Sequence, residues 1–214
     1  MLEKIGTPGF ETISRPDPVV LRLLDEILAR EPAPVFYEIG VGVGATTLPV
    51  ARAMANRGQI CLFSRQHDVS ALAADLAGLG FGNVNSDWGS ASHTFSGYHF
   101  ELARGFAAGA LPAFDLAYLD GGHVFHLDAP AALVLKELCK PGGYIVLDDY
   151  RWSLARSPTQ NPAVRPQTAR DYDPAQIETA HVELVCRVVM DTDRRFERLG
   201  VERNSCIYRR VPVA

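Results

Sequence analysis

Three aspartates and one histidine are the residues of this chain best able to do chemistry. Asp120 and His123 lie in Leu119-Asp-Gly-Gly-His123, and Asp148 and Asp149 follow the apolar run Tyr144-Ile-Val-Leu147. Both groups close short apolar segments of strand character, so the acids fall at strand carboxyl ends. If the two strands are neighbours, they stand about 4.8 Å apart. Their carboxylates could then converge on a hard cation such as Mg²⁺, which takes oxygen ligands. Consecutive side chains on a strand face opposite ways, so one of Asp148 and Asp149 would support such a site rather than bind directly. His123 sits on a Gly-Gly turn three residues after Asp120. An imidazole titrates near neutral pH, which suits a general base. Plainer alternatives stand beside these: aspartates that cap a loop, and a turn histidine bonded to backbone. His126 is expected at the start of the next helix. His67, His93, His99 and His181 show no metal-ligand spacing.

A second constellation lies upstream, in Val35-Phe-Tyr-Glu-Ile-Gly-Val-Gly-Val-Gly44, with Thr46 and Thr47 opening the helix that follows. Glycines at 40, 42 and 44 allow a tight turn and close backbone approach to a ligand. The helix start offers free N–H groups and the positive end of its dipole. Strand, glycine loop and helix in that order build a nucleotide-type cofactor site. Gly40-Val-Gly-Val-Gly-Ala45 satisfies the loose dinucleotide pattern G-x-G-x-x-A. Ser64-Arg65 at the next strand's end would suit a 2′-phosphate. An NADP-dependent oxidoreductase is therefore one reading, although the chain lacks the Tyr-x-x-x-Lys pair of short-chain dehydrogenases.

The elements that must position these residues alternate. Helices are expected over 17–30, 45–56, 68–77 (capped by Asp68), 99–109, 126–139 and 174–190. Strands are expected over 34–39, 59–63, 83–87, 115–119 and 144–147, and a closing hairpin over 196–199 and 205–211. Pro141-Gly-Gly143 reads as a turn, and 151–173, with prolines at 158, 162 and 166, as a long irregular stretch. This order predicts a Rossmann-like, doubly wound α/β fold: a mostly parallel seven-stranded sheet with a C-terminal antiparallel hairpin. Ligands would lie outside the strands' carboxyl ends. Residues 1–214 are expected to form one domain: a cofactor-binding core over 15–150, a candidate substrate loop over 151–173, and a closing helix and hairpin over 174–214.

Glu38-x-Gly40-x-Gly42-x-Gly44 resembles motif I of class I S-adenosylmethionine-dependent methyltransferases. Leu119-Asp-Gly-Gly-His123 and Leu138-Cys-Lys-Pro-Gly-Gly-Tyr-Ile-Val-Leu-Asp-Asp149 resemble the branch containing macrocin-type sugar O-methyltransferases and, more distantly, catechol O-methyltransferase. The resemblance covers roughly residues 15–150. It implies S-adenosylmethionine over Gly40–Gly44, near Glu38, Thr46, Ser64 and Ser90. It also implies a divalent cation at Asp120, Asp148 and Asp149, with His123 as base toward an acceptor hydroxyl. Glu38 would fix the loop or meet the cofactor's amino group through water. Two positions depart from the family pattern. Ser64 stands where an acid usually holds the ribose, and Gly89-Ser90-Ala91 where a second acid lies near the adenine. Asp68 and Asp87 are nearby substitutes, and a degenerate, non-catalytic member is a further reading.

The expected acceptor is a small hydroxylated metabolite. Arg151, Arg156, Arg165 and Arg170, in a stretch without acids, could recognise an anionic group on it. The bland alternative is a solvated loop. Tyr150 and Trp152 could stack on a flat or sugar-like acceptor, or could pack the loop on the sheet. The formal net charge of −4 argues against generic nucleic-acid binding. No apolar run approaches the roughly 20 residues that span a bilayer, and Met1-Leu-Glu-Lys-Ile-Gly is not a signal peptide. Cys61, Cys139, Cys186 and Cys206 lack Cys-x-x-Cys spacing and read as reduced residues of a cytoplasmic protein. The sequence leaves a homodimer open.

Overall fold

The computed structural model describes residues 1–91 and 97–212; His93 lies outside them. The strands are β1 (Val35–Ile39), β2 (Gln59–Phe63), β3 (Val84–Asn85), β4 (Phe114–Leu119), β5 (Cys139–Leu147), β6 (Phe196–Glu202) and β7 (Ser205–Arg210). They form one sheet in the order β3-β2-β1-β4-β5-β7-β6. The first five are parallel, and β7 pairs antiparallel with both β5 and β6. The Rossmann-like architecture expected from the sequence is therefore observed.

Alternation along the strands sorts the core into two layers. Phe36, Ile60, Leu62, Leu116, Tyr118 and Val146 face α1 (Pro18–Leu28), α2 (Thr47–Met54) and α3 (Gln66–Gly78). Tyr37, Cys61, Phe63, Ala117, Leu119, Ile145 and Leu147 face α4 (Tyr98–Ala107), α5 (Phe125–Leu138) and α8 (His181–Val185). Strands buried on both faces need near-continuous apolar sequence, and β1, β2 and β4 supply it. The Asp17 side chain caps α1 by accepting the Val19 and Val20 N–H groups, with Pro18 in the first turn. All four cysteines are free and buried. No helix among the described residues is long and apolar enough to cross a membrane.

Several expected boundaries differ. Asp68 does not cap α3. The helix begins at Gln66, and Asp68 lies in its first turn, 2.6 Å from the Arg65 guanidinium. Pro141-Gly-Gly143 falls inside β5, whose register against β4 shifts between Phe114 and Leu116, so the turn residues are absorbed as an irregularity of the strand. The expected helix over 174–190 is three pieces. These are α7 (Pro174–Glu178) with an Asp173–Gln176 capping box, α8, and a π-turn over Cys186–Met190. Thr179 and Ala180 take extended conformations that interrupt the helical path. The 151–173 stretch is irregular apart from short turns at Leu154–Arg156 and α6 (Thr168–Asp171).

Candidate functional site

Strand register assembles the site. Phe63 pairs with Ile39, Ile39 with Leu119, and Leu119 with Leu147. The next residues, Ser64, Gly40, Asp120 and Asp148, therefore form a row along the carboxyl edge of the sheet. Backbone bonds continue the ladder into this row: Gly40 N–H donates to Phe63 O, Asp120 N–H to Ile39 O, and Asp148 N–H to Leu119 O, at 2.8, 2.8 and 3.0 Å.

The glycine loop begins within this row. Gly40 has φ +87°, and a Cβ there would stand 1.9 Å from the Asp120 carbonyl oxygen. Only glycine lets the loop leave β1 against the Asp120 turn. Gly42 and Gly44 also have positive φ, and Ile13 of the N-terminal segment lies across the loop at Gly42. Glu38, 2 % exposed, ends in an Oε2 without a hydrogen-bond partner. Burial raises its pKa to about 8; the Thr47 hydroxyl lies close enough to ease the charge without reaching hydrogen-bond geometry. A glycine cradle, a helix start and an orphaned buried acid fit a cofactor that carries a cationic amine and polar groups. Thr46 is committed differently. Its Oγ1 accepts the Asp17 N–H at 3.1 Å and fastens α1 to the loop. Ser64 and Ser90 lie side by side, with the Ser90 N–H donating to Ser64 O at 2.8 Å. Neither expected substitute acid lies free beside them: Asp68 is paired with Arg65, and Asp87 is exposed on the loop after β3.

Asp120, His123 and Asp149 come together. His123 Nε2 lies 3.5 Å from Asp120 Oδ1 and 3.6 Å from Asp149 Oδ2. These distances suit charge pairing but exceed good hydrogen bonds. His123 Nδ1 is buried without a partner. His123 and Asp149 both adopt left-handed backbone, φ +54° and +55°, which non-glycine residues rarely take and which clusters at functional sites. Asn204 Nδ2 donates to Asp149 Oδ1 at 3.0 Å. Burial, and then the charges of Asp148, Asp149 and Glu38, hold the Asp120 carboxyl well above its ordinary range.

Asp148 does not join this group. It follows the same alternation as Val146 and turns toward α1. Its Oδ2 accepts from the Tyr118 hydroxyl at 2.8 Å, and its Oδ1 lies 2.7 Å from Ser205 Oγ. Ser205 also bonds Asp17 Oδ2 at 2.9 Å. Opposite faces for consecutive strand residues thus divide the aspartate pair, one to the cleft and one to the framework. Among the described residues no three His, Cys, Asp or Glu side chains are placed to hold a metal ion. The hard oxygens of Asp120 and Asp149, in an excess of negative charge, suit a hard cation in chemistry. Asp148 as placed does not. Asp17, Tyr118 and Ser205 escaped sequence reasoning because they lie far apart in the chain and carry no motif.

Trp152 borders His123, ring centroids 5.6 Å apart. Tyr150 instead is buried under the Arg198 guanidinium. Arg151, Arg156, Arg165 and Arg170 are exposed, and Arg165 bonds Gln160. His126 is exposed beside Tyr172, and His67 is exposed beside Asp68. His99 is half-buried, and burial lowers its pKa. His181 is buried and structural: its Nδ1 accepts the Phe125 N–H at 3.0 Å, an orphan donor of the α5 start.

A family described as a methyltransferase domain matches residues 37–150, more than half of the chain. Solved structures with the same fold include the O-methyltransferase TomG from Streptomyces achromogenes, involved in tomaymycin synthesis and solved with SAM. It is 17% identical, with a TM-score of 0.57, and the match covers 92% of this chain and 80% of that one. An O-methyltransferase from Bacillus cereus in complex with SAH is 14% identical over 99% of this chain and 90% of that one, with a TM-score of 0.60. The MycE methyltransferase of the mycinamycin biosynthetic pathway, solved with Mg, SAH and mycinamycin VI, is 18% identical with a TM-score of 0.61. The match covers 98% of this chain and 52% of MycE, so the chain spans about half of MycE's length. At these identities the likeness is one of fold. A search of curated protein sequences finds no match. The dinucleotide reading is set aside by the family match, and the Arg65 it relied on is engaged with Asp68. The chain belongs to the methyltransferase-domain family and carries the class I, S-adenosylmethionine-dependent fold.

Proposed function

We propose that the protein is an S-adenosylmethionine-dependent O-methyltransferase acting on a small hydroxylated acceptor. The observation that carries this reading is the placement of His123 between Asp120 and Asp149, on a turn whose Asp120 backbone lies directly against Gly40. A proton acceptor and a cofactor cradle then meet at one sheet edge. S-adenosylmethionine supplies an electrophilic methyl group. Gly40, Gly42, Gly44 and Glu38 hold the cofactor, with Ser64 and Ser90 at its ribose and adenine side. His123 Nε2 takes the proton of the acceptor hydroxyl as the new O–CH₃ bond forms and the methyl–sulfur bond breaks, with the thioether S-adenosylhomocysteine as the leaving group. Asp120 and Asp149, 3.5 and 3.6 Å from Nε2, stabilise the resulting imidazolium, whose positive charge in turn favours the ionised form of Asp120. Holding the two reactants in line supplies much of the rate. Trp152 walls the acceptor side, and the exposed arginines of 151–170 offer contacts to an anionic substituent.

Asp120 and Asp149 would hold a divalent cation such as Mg²⁺, which when bound polarises the acceptor oxygen. Asp148, its oxygens taken by Tyr118 and Ser205, stands outside this pair on the α1 side. The free, buried cysteines agree with a reducing compartment, so a cytoplasmic location belongs to this reading.

Calorimetric titration with S-adenosylhomocysteine, with and without Mg²⁺ and with NADPH as control, tests the cofactor. Binding of the homocysteine compound alone is expected. Turnover is then measured over a panel of hydroxylated acceptors. Asp120→Ala is expected to abolish metal-stimulated turnover while leaving S-adenosylhomocysteine affinity largely intact. Full activity of that variant in chelator would remove the cation from the reading. Absence of both binding and turnover would favour the degenerate binding module that Ser64 and Ser90 suggest.

A further inference from the structure

Beneath the Asp120–His123 turn lies a pair of buried side chains for which the reaction so far has no use. Asp128, in the first turn of α5, is 2 % exposed, and Tyr98, which opens α4, is 3 % exposed. The Tyr98 hydroxyl donates to Asp128 Oδ1 at 2.5 Å and accepts the Gly122 N–H at 3.0 Å. The His123 backbone N–H also lies near Asp128, close enough to ease its charge without reaching hydrogen-bond geometry. The Gly122 peptide group of the turn therefore ends on the tyrosine–aspartate pair, with the His123 peptide close beside it.

The glycines record the same closeness. A Cβ at Gly121 would stand 2.6 Å from the Tyr98 Cζ and hydroxyl, and one at Gly122 would stand 2.7 Å from Leu127 Cδ1. The turn rests flat on Tyr98, and the Gly-Gly pair is what permits it. His123 leaves this platform with φ +54°, a backbone state that a non-glycine residue keeps only when its surroundings impose it. The bond from the neighbouring Gly122 N–H to Tyr98, itself held by Asp128, supplies that constraint. Burial raises the Asp128 carboxyl, and the Tyr98 hydroxyl and the start of α5 oppose that rise. Burial holds the Tyr98 hydroxyl protonated, so it remains a donor.

We propose that Tyr98 and Asp128 are positioning residues that fix the left-handed backbone of His123 and so aim its imidazole between Asp120 and Asp149. This rests on the reading of His123 as proton acceptor. Neither residue touches the reacting atoms. Each acts through the turn.

The test uses full-length protein labelled with ¹³C in its histidine rings, with the His123 signal assigned by its loss in His123→Gln. Tyr98→Phe removes one oxygen from a buried site. It is expected to displace or broaden the His123 ring signal while that of the distant His67 stays. S-adenosylhomocysteine affinity should stay within about twofold, because the cofactor cradle is untouched. Asp128→Ala should do the same, and Asp128→Asn, which keeps an acceptor oxygen for the Tyr98 hydroxyl, should restore much of the wild-type signal. An unmoved His123 signal in both Tyr98→Phe and Asp128→Ala overturns the proposal. Equal disturbance in Asp128→Asn and Asp128→Ala overturns the specific role of the oxygen. Methyl transfer that survives in His123→Gln would instead overturn the reading of His123 as base, and would leave the spectroscopic result standing.

Discussion

Replacing Glu38 by glutamine should flatten the dependence of stability on pH. Glu38 is fully enclosed beside the glycine loop, and burial raises its carboxyl from the ordinary 4.5 to about 8. A carboxyl raised in this way keeps its proton in the folded state where the unfolded chain has released it. Its contribution to stability is complete below about pH 4.5 and is lost as pH climbs through about 8. Over that window the loss amounts to about 5 kcal/mol, since each pH unit between the two values carries about 1.4 kcal/mol. That is a large share of the 5–15 kcal/mol typical of a domain. Urea unfolding of the cofactor-free protein at several pH values between 4.5 and 8 measures it. Wild type should weaken steeply with rising pH. Glu38→Gln should match wild type at the acid end and exceed it by several kcal/mol at pH 8. Asp17, also raised, pushes in the same direction in both proteins and cancels in the difference, whereas Asp120 loses the part of its rise that Glu38 causes and so adds to it. Parallel pH curves for the two proteins would refute the claim that Glu38 is buried and neutral at pH 7. The same carboxyl is well placed to ionise when a cationic group enters the loop, so saturating S-adenosylhomocysteine should reduce the pH slope of wild type.

Two further substitutions probe the frame. Gly40→Ala places a methyl group 1.9 Å from the Asp120 carbonyl at a positive φ, so it should cost more than the roughly 1–2 kcal/mol of left-handed strain alone. A lowered urea midpoint together with weakened S-adenosylhomocysteine binding is expected, and a wild-type midpoint would refute the close approach. Lys136→Met removes a buried ammonium that donates to the Val189 carbonyl at 3.0 Å and pairs with Asp193 at 3.1 Å. Arg195 still neutralises Asp193, so the loss should be on the order of 2 kcal/mol, with cofactor affinity unchanged.

The sequence by itself determined the layer architecture and the local chemistry of the two loops. Short, near-continuous apolar runs alternating with helical patterns leave few packings other than a parallel sheet between helices. Glycines at 40, 42 and 44 announce a loop that needs positive φ, and Asp120, His123, Asp148 and Asp149 stand at strand ends that any such sheet brings to one edge. These features are local: spacing along the chain fixes them. Boundaries set by tertiary contact were less legible. Pro141–Gly143 reads as a turn because its residues favour one, yet pairing with β4 draws it into β5. Likewise the 174–190 pattern reads as one helix, yet Thr179 and Ala180 leave helical conformation, and His181 is drawn into the core to cap α5 from afar.

Which aspartate faces the cleft was settled only by strand register and by partners remote in sequence. Leu147 pairs with Cys206, so Ser205 stands opposite Asp148, and Tyr118 and Asp17 complete a polar cluster that claims its oxygens. Asp149, freed by its left-handed backbone, meets His123 and Asn204. Tyr98 and Asp128 were invisible for the same reason: one lies 24 residues before the turn they support, and nothing in one-dimensional spacing shows that α4 lies beneath it. Spacing can list the groups able to react. Only packing decides which of them meet, because a side chain's direction depends on every strand and helix that crowds it.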